Sequence, residues 1–254
     1  MKHLRLGMSP RQRLRRALVF ASFLLFPVTL NYFSPVLIVQ GAISGVVTAS
    51  ALTFGALFLS GLFFGRGFCA WACPGAGLQE PLMGVNPNPL QSDTPDKIKW
   101  FIWVPWVAVI LTCYGLTGLA LRFAPLYRMP AGISVWQPMM FIPYFTVLAL
   151  IIWLALALGR RGFCHAACWM APFLILGAKA GDALGLRRLR LVSRPERCDG
   201  CGTCSSRCLM SLAVRDMAAS GRTDHAECVL CGECADACPN GALKLGFIRP
   251  GTEK

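Results

Sequence analysis

The chain has 254 residues, 55% of them hydrophobic, with a formal net charge of +13 and a mean hydropathy of +0.54. That balance excludes an ordinary soluble globule, and thirteen cysteines against three histidines point to thiolate chemistry. A nucleic-acid reading of the basicity fits poorly, because the positive residues flank apolar runs, where anionic lipid headgroups account for them.

Residues 1–16 form a basic tail with Lys2, Arg5, Arg11, Arg13, Arg15 and Arg16 and no acid. Residues 17–65, 100–121 and 129–159 then carry no Asp, Glu, Lys or Arg. A membrane-spanning helix needs about 20 apolar residues. These runs predict four transmembrane helices near 17–38, 43–64, 100–121 and 138–158, with Pro35, Gln40 and Gly41 at the first turn. Arg11 to Arg16 before an apolar run resembles a secretory leader, but no A-x-A site follows, so the first helix is read as retained. Positive charge gathers in the tail and in 160–197, where eight basic residues face two acids. Such asymmetry predicts an inner-membrane, multi-pass chain with both termini and the second connection cytoplasmic.

Two short stretches repeat at the ends of apolar runs: "FFGRGFCAWACPGAG" at 63–77 and "GRRGFCHAACWMAPF" at 159–173. Each hairpin thus returns to the cytoplasm at a Gly-Phe-Cys-x-x-x-Cys, and internal repeats tend to build a site at their shared interface. Cys69, Cys73, Cys164 and Cys168 are therefore candidates for one shared metal or iron–sulfur centre. A thiol/disulfide redox role and a purely structural role stay open beside it. His165 is a candidate for metal ligation or a proton or quinone role, against an interfacial histidine with none. Glu80 reads as a surface carboxylate, with pairing to Arg66 or proton transfer at a quinone pocket beside it. Arg66, Arg160 and Arg161 read as side chains reaching lipid headgroups or as cations that stabilise an anionic thiolate-ligated cluster. Cys113, inside the third helix, reads as a packing residue. Residues 171–192 predict either a stretch lying along the membrane surface or a helix running on into the next module.

Downstream, "CDGCGTCSSRC" supplies Cys198, Cys201, Cys204 and Cys208, and "CVLCGECADACP" supplies Cys228, Cys231, Cys234 and Cys238 before Pro239. Two runs of this spacing are the bacterial two-cluster ferredoxin pattern, in which the fourth cysteine of each run serves the other cluster. It predicts Cys198, Cys201, Cys204 and Cys238 on one [4Fe–4S] cluster, and Cys228, Cys231, Cys234 and Cys208 on the second. Zinc ribbons use paired C-x-x-C knuckles and do not fit. Leu209 stands after Cys208 where proline is usual. No dinucleotide fingerprint, Walker loop, nucleophile elbow or haem-attachment motif occurs.

The predicted fold is an α-helical membrane protein with four transmembrane helices in two parallel hairpin repeats, followed by a C-terminal α+β two-cluster ferredoxin domain. Its parts are the tail 1–16, the membrane domain 17–159, the second cysteine site with an interfacial linker 160–195, and the ferredoxin domain 196–254. Together with "NYFSPVLIVQGAISG" and "CLMSLAV", these motifs resemble the membrane-bound polyferredoxins, the group of NapH-, NosR- and CcoG-like proteins. They are most similar to its branch named only for 4Fe–4S binding. NapH-like members carry proline after the second Cys-x-x-x-Cys, whereas Trp169 stands there in this chain. The resemblance implies electron transfer between the quinone pool or a membrane partner and partner redox proteins. The chain itself shows no substrate chemistry and reads as a carrier or as a subunit of an oxidoreductase system. Two other readings are an assembly factor that reduces thiols or metals for copper or haem proteins, and a membrane redox sensor.

Overall fold

The computed structural model describes residues 9–90, 92, 94–117 and 122–251. Lys2 and Arg5 of the expected tail lie outside the described residues. Helix α1 (Pro10–Leu24) begins inside that tail: Pro10 sits at its first position and Ser9 caps it by accepting from the Gln12 amide. Pro27 cannot continue the hydrogen-bond ladder, and the chain bends by 60° into α2 (Phe26–Thr29) and a short 3-10 turn, Leu30–Phe33. Ser34 then caps α3 (Pro35–Ile43). A two-residue strand β1 (Val46–Val47) and a Thr48 cap lead into α4 (Ala49–Phe64). The expected helix 17–38 is thus a bent series of pieces, and the expected 43–64 is a helix of 16 residues.

Two short helices flank the first cysteine pair, α5 (Gly67–Trp71) and α6 (Pro74–Leu82). The long α7 (Thr94–Leu116) starts before the expected 100 because Asp96 lies in its first turn, where a negative charge suits the helix dipole. Strand β2 (Arg122–Phe123) pairs in parallel with β1. Helix α8 (Phe141–Leu158), preceded by a 3-10 turn at Pro138–Met140, agrees with the expected 138–158. Thr94–Leu116 and Pro138–Leu158 are long and apolar enough to cross a membrane, and the bent pair at the start makes a third candidate if it is one span. Their outer faces expose large apolar residues such as Leu111 and Trp153, each about two-thirds exposed.

Helix α9 (Gly162–Ala166) carries Cys164, and α10 (Ala171–Ala183) follows the second cysteine pair. Of the expectations for 171–192, the straight helical run into the next module does not form: α10 ends at Ala183, a strand starts at Arg188, and α10 packs along α4. Glycines permit this approach, since a Cβ on Gly61 would lie 2.7 Å from the Leu174 carbonyl oxygen and one on Gly181 would lie 2.5 Å from that of Leu62. Small residues let helix backbones come this close. Helix α6 meets α1 in the same way, with Gly77 against Val19 and Phe23. In each half, then, the helix after the cysteine pair folds back and packs through a glycine.

The C-terminal module carries an antiparallel pair, β3 (Arg188–Ser193) and β4 (Leu243–Ile248). Between these strands lie the short helices α11 (Thr203–Ser206), α12 (Val214–Ser220) and α13 (Glu233–Ala237). Its buried residues join those of the helical part in a single cluster that runs from Val19 to Leu243.

Candidate metal centres

Cys198, Cys201, Cys204 and Cys238 line one cavity in the C-terminal module, and Cys208, Cys228, Cys231 and Cys234 line another. Each group of four draws its last member from the other cysteine run. The two loops are built alike. Gly202 (φ +76°) and Gly232 (φ +79°) turn the chain right after the second cysteine, and each opens the short helix that carries the third. Such left-handed backbone suits glycine. The Leu212 amide donates to Cys208 Sγ at 3.4 Å, and the Ala242 amide donates to Cys238 Sγ at 3.3 Å, four residues on in both cases.

The two cavities differ in exposure. Cys201 is open to solvent, whereas Cys208, Cys231 and Cys234 are buried. Burial pushes the thiols of Cys228 and Cys231 up to about 12 and about 11, and that of Cys234 well above its ordinary value. Bare thiols in this second cavity therefore stay protonated at neutral pH and make poor nucleophiles; a metal would have to expel their protons. Among the described residues no three cysteine sulfurs lie within 4.8 Å of one another. A tetrahedral zinc ion with bonds of about 2.3 Å would hold them at about 3.8 Å.

Cys69, Cys73, Cys164 and Cys168 come together at the junction of the helices with the C-terminal module, each 4 or 5% exposed. Cys69 and Cys73 leave α5, and Cys164 and Cys168 leave α9, so the repeat brings four thiols to one place. Gln79 of the first half donates from Nε2 to Cys164 Sγ of the second at 3.2 Å. Burial, followed by the neighbouring thiols, raises Cys73 well above its ordinary value and Cys168 to about 12.

Around this tetrad lies a buried charged shell that the sequence reading places at the surface. Arg66 and Arg161 are 2% and 0% exposed, because carboxylates receive them inside the fold. Arg66 pairs with Glu227, and Arg161 pairs with Glu80 at 2.8 Å. Glu80 also binds Arg15, itself fully buried, and is no surface carboxylate. Burial works to raise its carboxyl, but Arg161, then Arg15 and Arg16, outweigh that and hold it below the usual range. Arg160 instead donates to the carbonyl oxygens of Ser206, at 2.7 Å, and Cys208, at 3.3 Å. Likewise the tail grips the C-terminal module: Arg11 pairs with Asp236 at 2.7 Å, and Gln12 donates to the Cys231 carbonyl at 3.0 Å.

His165 is 1% exposed, with Nδ1 2.8 Å from Asp96 Oδ1. Asp96, His165 and Glu227 offer ligand atoms within 4.8 Å of one another, but Lys99 Nζ already sits 3.1 Å from Asp96 and 2.6 Å from Glu227. That ammonium fills the place of a cation, so the group is a salt-bridge cluster. The sequence reading missed Asp96, Lys99 and Glu227; only the position of Glu227, directly before Cys228, carried a hint.

Among the described residues several buried polar atoms of the shell have no hydrogen-bond partner by geometry: Arg66 Nε and Nη2, Arg161 Nε, Gln79 Oε1 and His165 Nε2. Buried donors left unpaired are costly. Guanidinium donors beside four thiols fit an anionic, thiolate-held group with further sulfur acceptors.

Comparison with known families agrees with these sites. Residues 197–243 match the model of the 4Fe–4S dicluster domain, and residues 46–87 and 140–189 match that of the 4Fe–4S binding domain. The second match takes in both Cys-x-x-x-Cys pairs. No curated protein and no solved structure shows significant similarity to the chain. The chain carries two [4Fe–4S] clusters.

Proposed function

We propose that this iron–sulfur protein is a membrane-anchored electron carrier that relays electrons between the quinone pool or a membrane partner and a partner redox protein. Its ligand sets would be Cys198, Cys201, Cys204 and Cys238 (the distal set), and Cys208, Cys228, Cys231 and Cys234 (the proximal set). The tetrad Cys69, Cys73, Cys164 and Cys168 would hold a third iron–sulfur centre where the helices meet the C-terminal module. Bound clusters supply one-electron storage at potentials set by burial, charge and hydrogen bonds. Four spans, with the termini and the ferredoxin module cytoplasmic, complete the proposal.

One observation carries the reading: four buried thiols from two chain repeats converge beside guanidinium donors that lack partners. Their burial bears against thiol exchange, which needs an accessible thiolate. The proximal set supports a relay because Arg66 and Arg160 bond to its loops on one side, while Cys204 of the distal set acts on its Cys234 on the other. Arg66, Arg160 and Arg161 would hold the negative charge of ligated thiolates, and Gln79 would orient Cys164.

Anaerobic iron and sulfide analysis with EPR and Mössbauer spectra tests this on the purified protein and its Cys69/Cys73/Cys164/Cys168→Ser variant. Two cubanes account for about eight irons and three for about twelve. The reading expects the variant to fall from the higher value to the lower. Equal iron and identical spectra would leave the tetrad without a centre and sink that part.

A further inference from the structure

The arginine directly before each Gly-Phe-Cys is the same in both repeats, Arg66 in the first and Arg161 in the second. Neither is needed to face lipid, since both are buried. Arg161 even keeps a left-handed backbone (φ +50°), a conformation that most side chains avoid. We propose that these two arginines are shared between cysteine sets, coupling the buried tetrad to the proximal set. The proximal set is then the tetrad's electron partner and the distal set is the outlet. This deepens the function proposed above and rests on its reading that the tetrad holds a redox centre.

Hydrogen bonds trace the connection. Arg161 Nη1 donates to the Cys69 carbonyl at 2.9 Å, holding it against the first cysteine pair. Its charge acts on Cys164 of the tetrad first, then on Cys231 of the proximal set and on Cys73, and it adds to Arg160 at Cys208. Arg66 acts on Cys69 and Cys168, reaches Cys228, and donates to the Ala226 carbonyl at 3.4 Å. Trp71, between Cys69 and Cys73, donates from Nε1 to the carbonyl of Leu230, between Cys228 and Cys231, at 3.3 Å. Arg160 adds its bond to the Cys208 carbonyl. The proximal loops are therefore pinned to the Gly-Phe-Cys loops by direct bonds. Among the described residues no hydrogen bond from the helical part ends on Cys198, Cys201, Cys204 or Cys238 itself, whereas the carbonyls of Cys208 and Cys231 each accept one.

A positive charge in a site of low polarity favours the reduced, more negative form of any centre near it. A guanidinium shared by two centres raises the reduction tendency of both. One electron moves between them, and no bond forms or breaks.

The test is an anaerobic redox titration, followed by EPR, of the wild type and its Arg161→Gln and Arg66→Gln variants, with the matching Lys variants as rescue. Each Gln variant is expected to lower the reduction equilibrium of the tetrad and proximal signals about tenfold, or about 59 mV for one electron. The distal signal should stay put, and Lys should restore both. A shift in one set alone, an equal shift in all three, or no rescue by Lys would overturn the coupling. Should the Gln variants fail to load iron, dipolar broadening decides. In the wild type and in Cys198→Ser, the tetrad signal should broaden when the proximal set is reduced; absence in either overturns the proposal. A wild type with iron for two clusters only would sink the reading beneath it, and the coupling with it.

Discussion

Replacing Glu80 by Gln removes one negative charge from a place where three arginines meet. Arg161 loses its carboxylate and keeps the Cys69 carbonyl, whereas Arg15 retains Gln12 at 2.6 Å and Glu233 at 3.4 Å. Breaking one partner of a buried ion pair costs about 3–5 kcal/mol. Because Arg15 keeps an acid, the lower end applies, about 3 kcal/mol. For a folding unit of this size that is a fall of about 6–12 °C in apparent Tm. Thermal unfolding of the detergent-solubilised, iron-loaded protein, followed by near-UV circular dichroism, measures it. Asp216→Asn, an exposed pair with Arg215, serves as reference and should stay within about 0.5 kcal/mol. Adding Arg161→Gln to Glu80→Gln should recover part of the loss, since the uncompensated cation is then gone. An effect no larger than that of Asp216→Asn, or strict additivity in the double variant, would refute the account of a buried charge.

Acid should act on the same carboxylate. Its folded pKa lies below the unfolded value of about 4.3, so its contribution is complete above that and disappears as pH falls through the lower folded value. Apparent Tm should therefore show a Glu80-dependent step only below about pH 4, absent from Glu80→Gln; a step near neutrality would contradict this. Gly177→Ala drives a methyl into the Phe58 carbonyl and should cost about 1–3 kcal/mol by thermal unfolding. Gly55→Ala, with nothing within 4 Å, should be neutral or stabilising by up to about 1 kcal/mol. Cys238→Ser should abolish the same EPR signal as Cys198→Ser, although Cys234 is its near neighbour in sequence; loss of the Cys228 signal instead would reverse the assignment of the fourth ligands.

Part of this architecture is local in the sequence and part is not. Cysteine spacing carries the grouping in the C-terminal module, because two loops of fixed length, each turned by a glycine, leave the fourth cysteine only one direction to go. The repeat around Gly-Phe-Cys carries the neighbourhood of Cys69, Cys73, Cys164 and Cys168 for the same reason. The bend at Pro27 was hidden inside an apolar run where every residue suits a span. The acidic partners of Arg15 are 65 and 218 residues away, and no local pattern links them. Lys99 and Asp96 read as a connector because charges beside an apolar run signal an interface, and only the fold shows that Glu227 and His165 receive them.

The grip of the first described turn on the last module fixes an order of assembly. Gln12 cannot reach the Cys231 carbonyl, 219 positions later, until the second ferredoxin loop has been synthesised. Once it does, the C-terminal module closes over four cysteines that are at most 5% exposed. Whatever must be delivered to them has to arrive while the module is still undocked. On the function proposed above, docking is therefore the step that seals a centre into the tetrad.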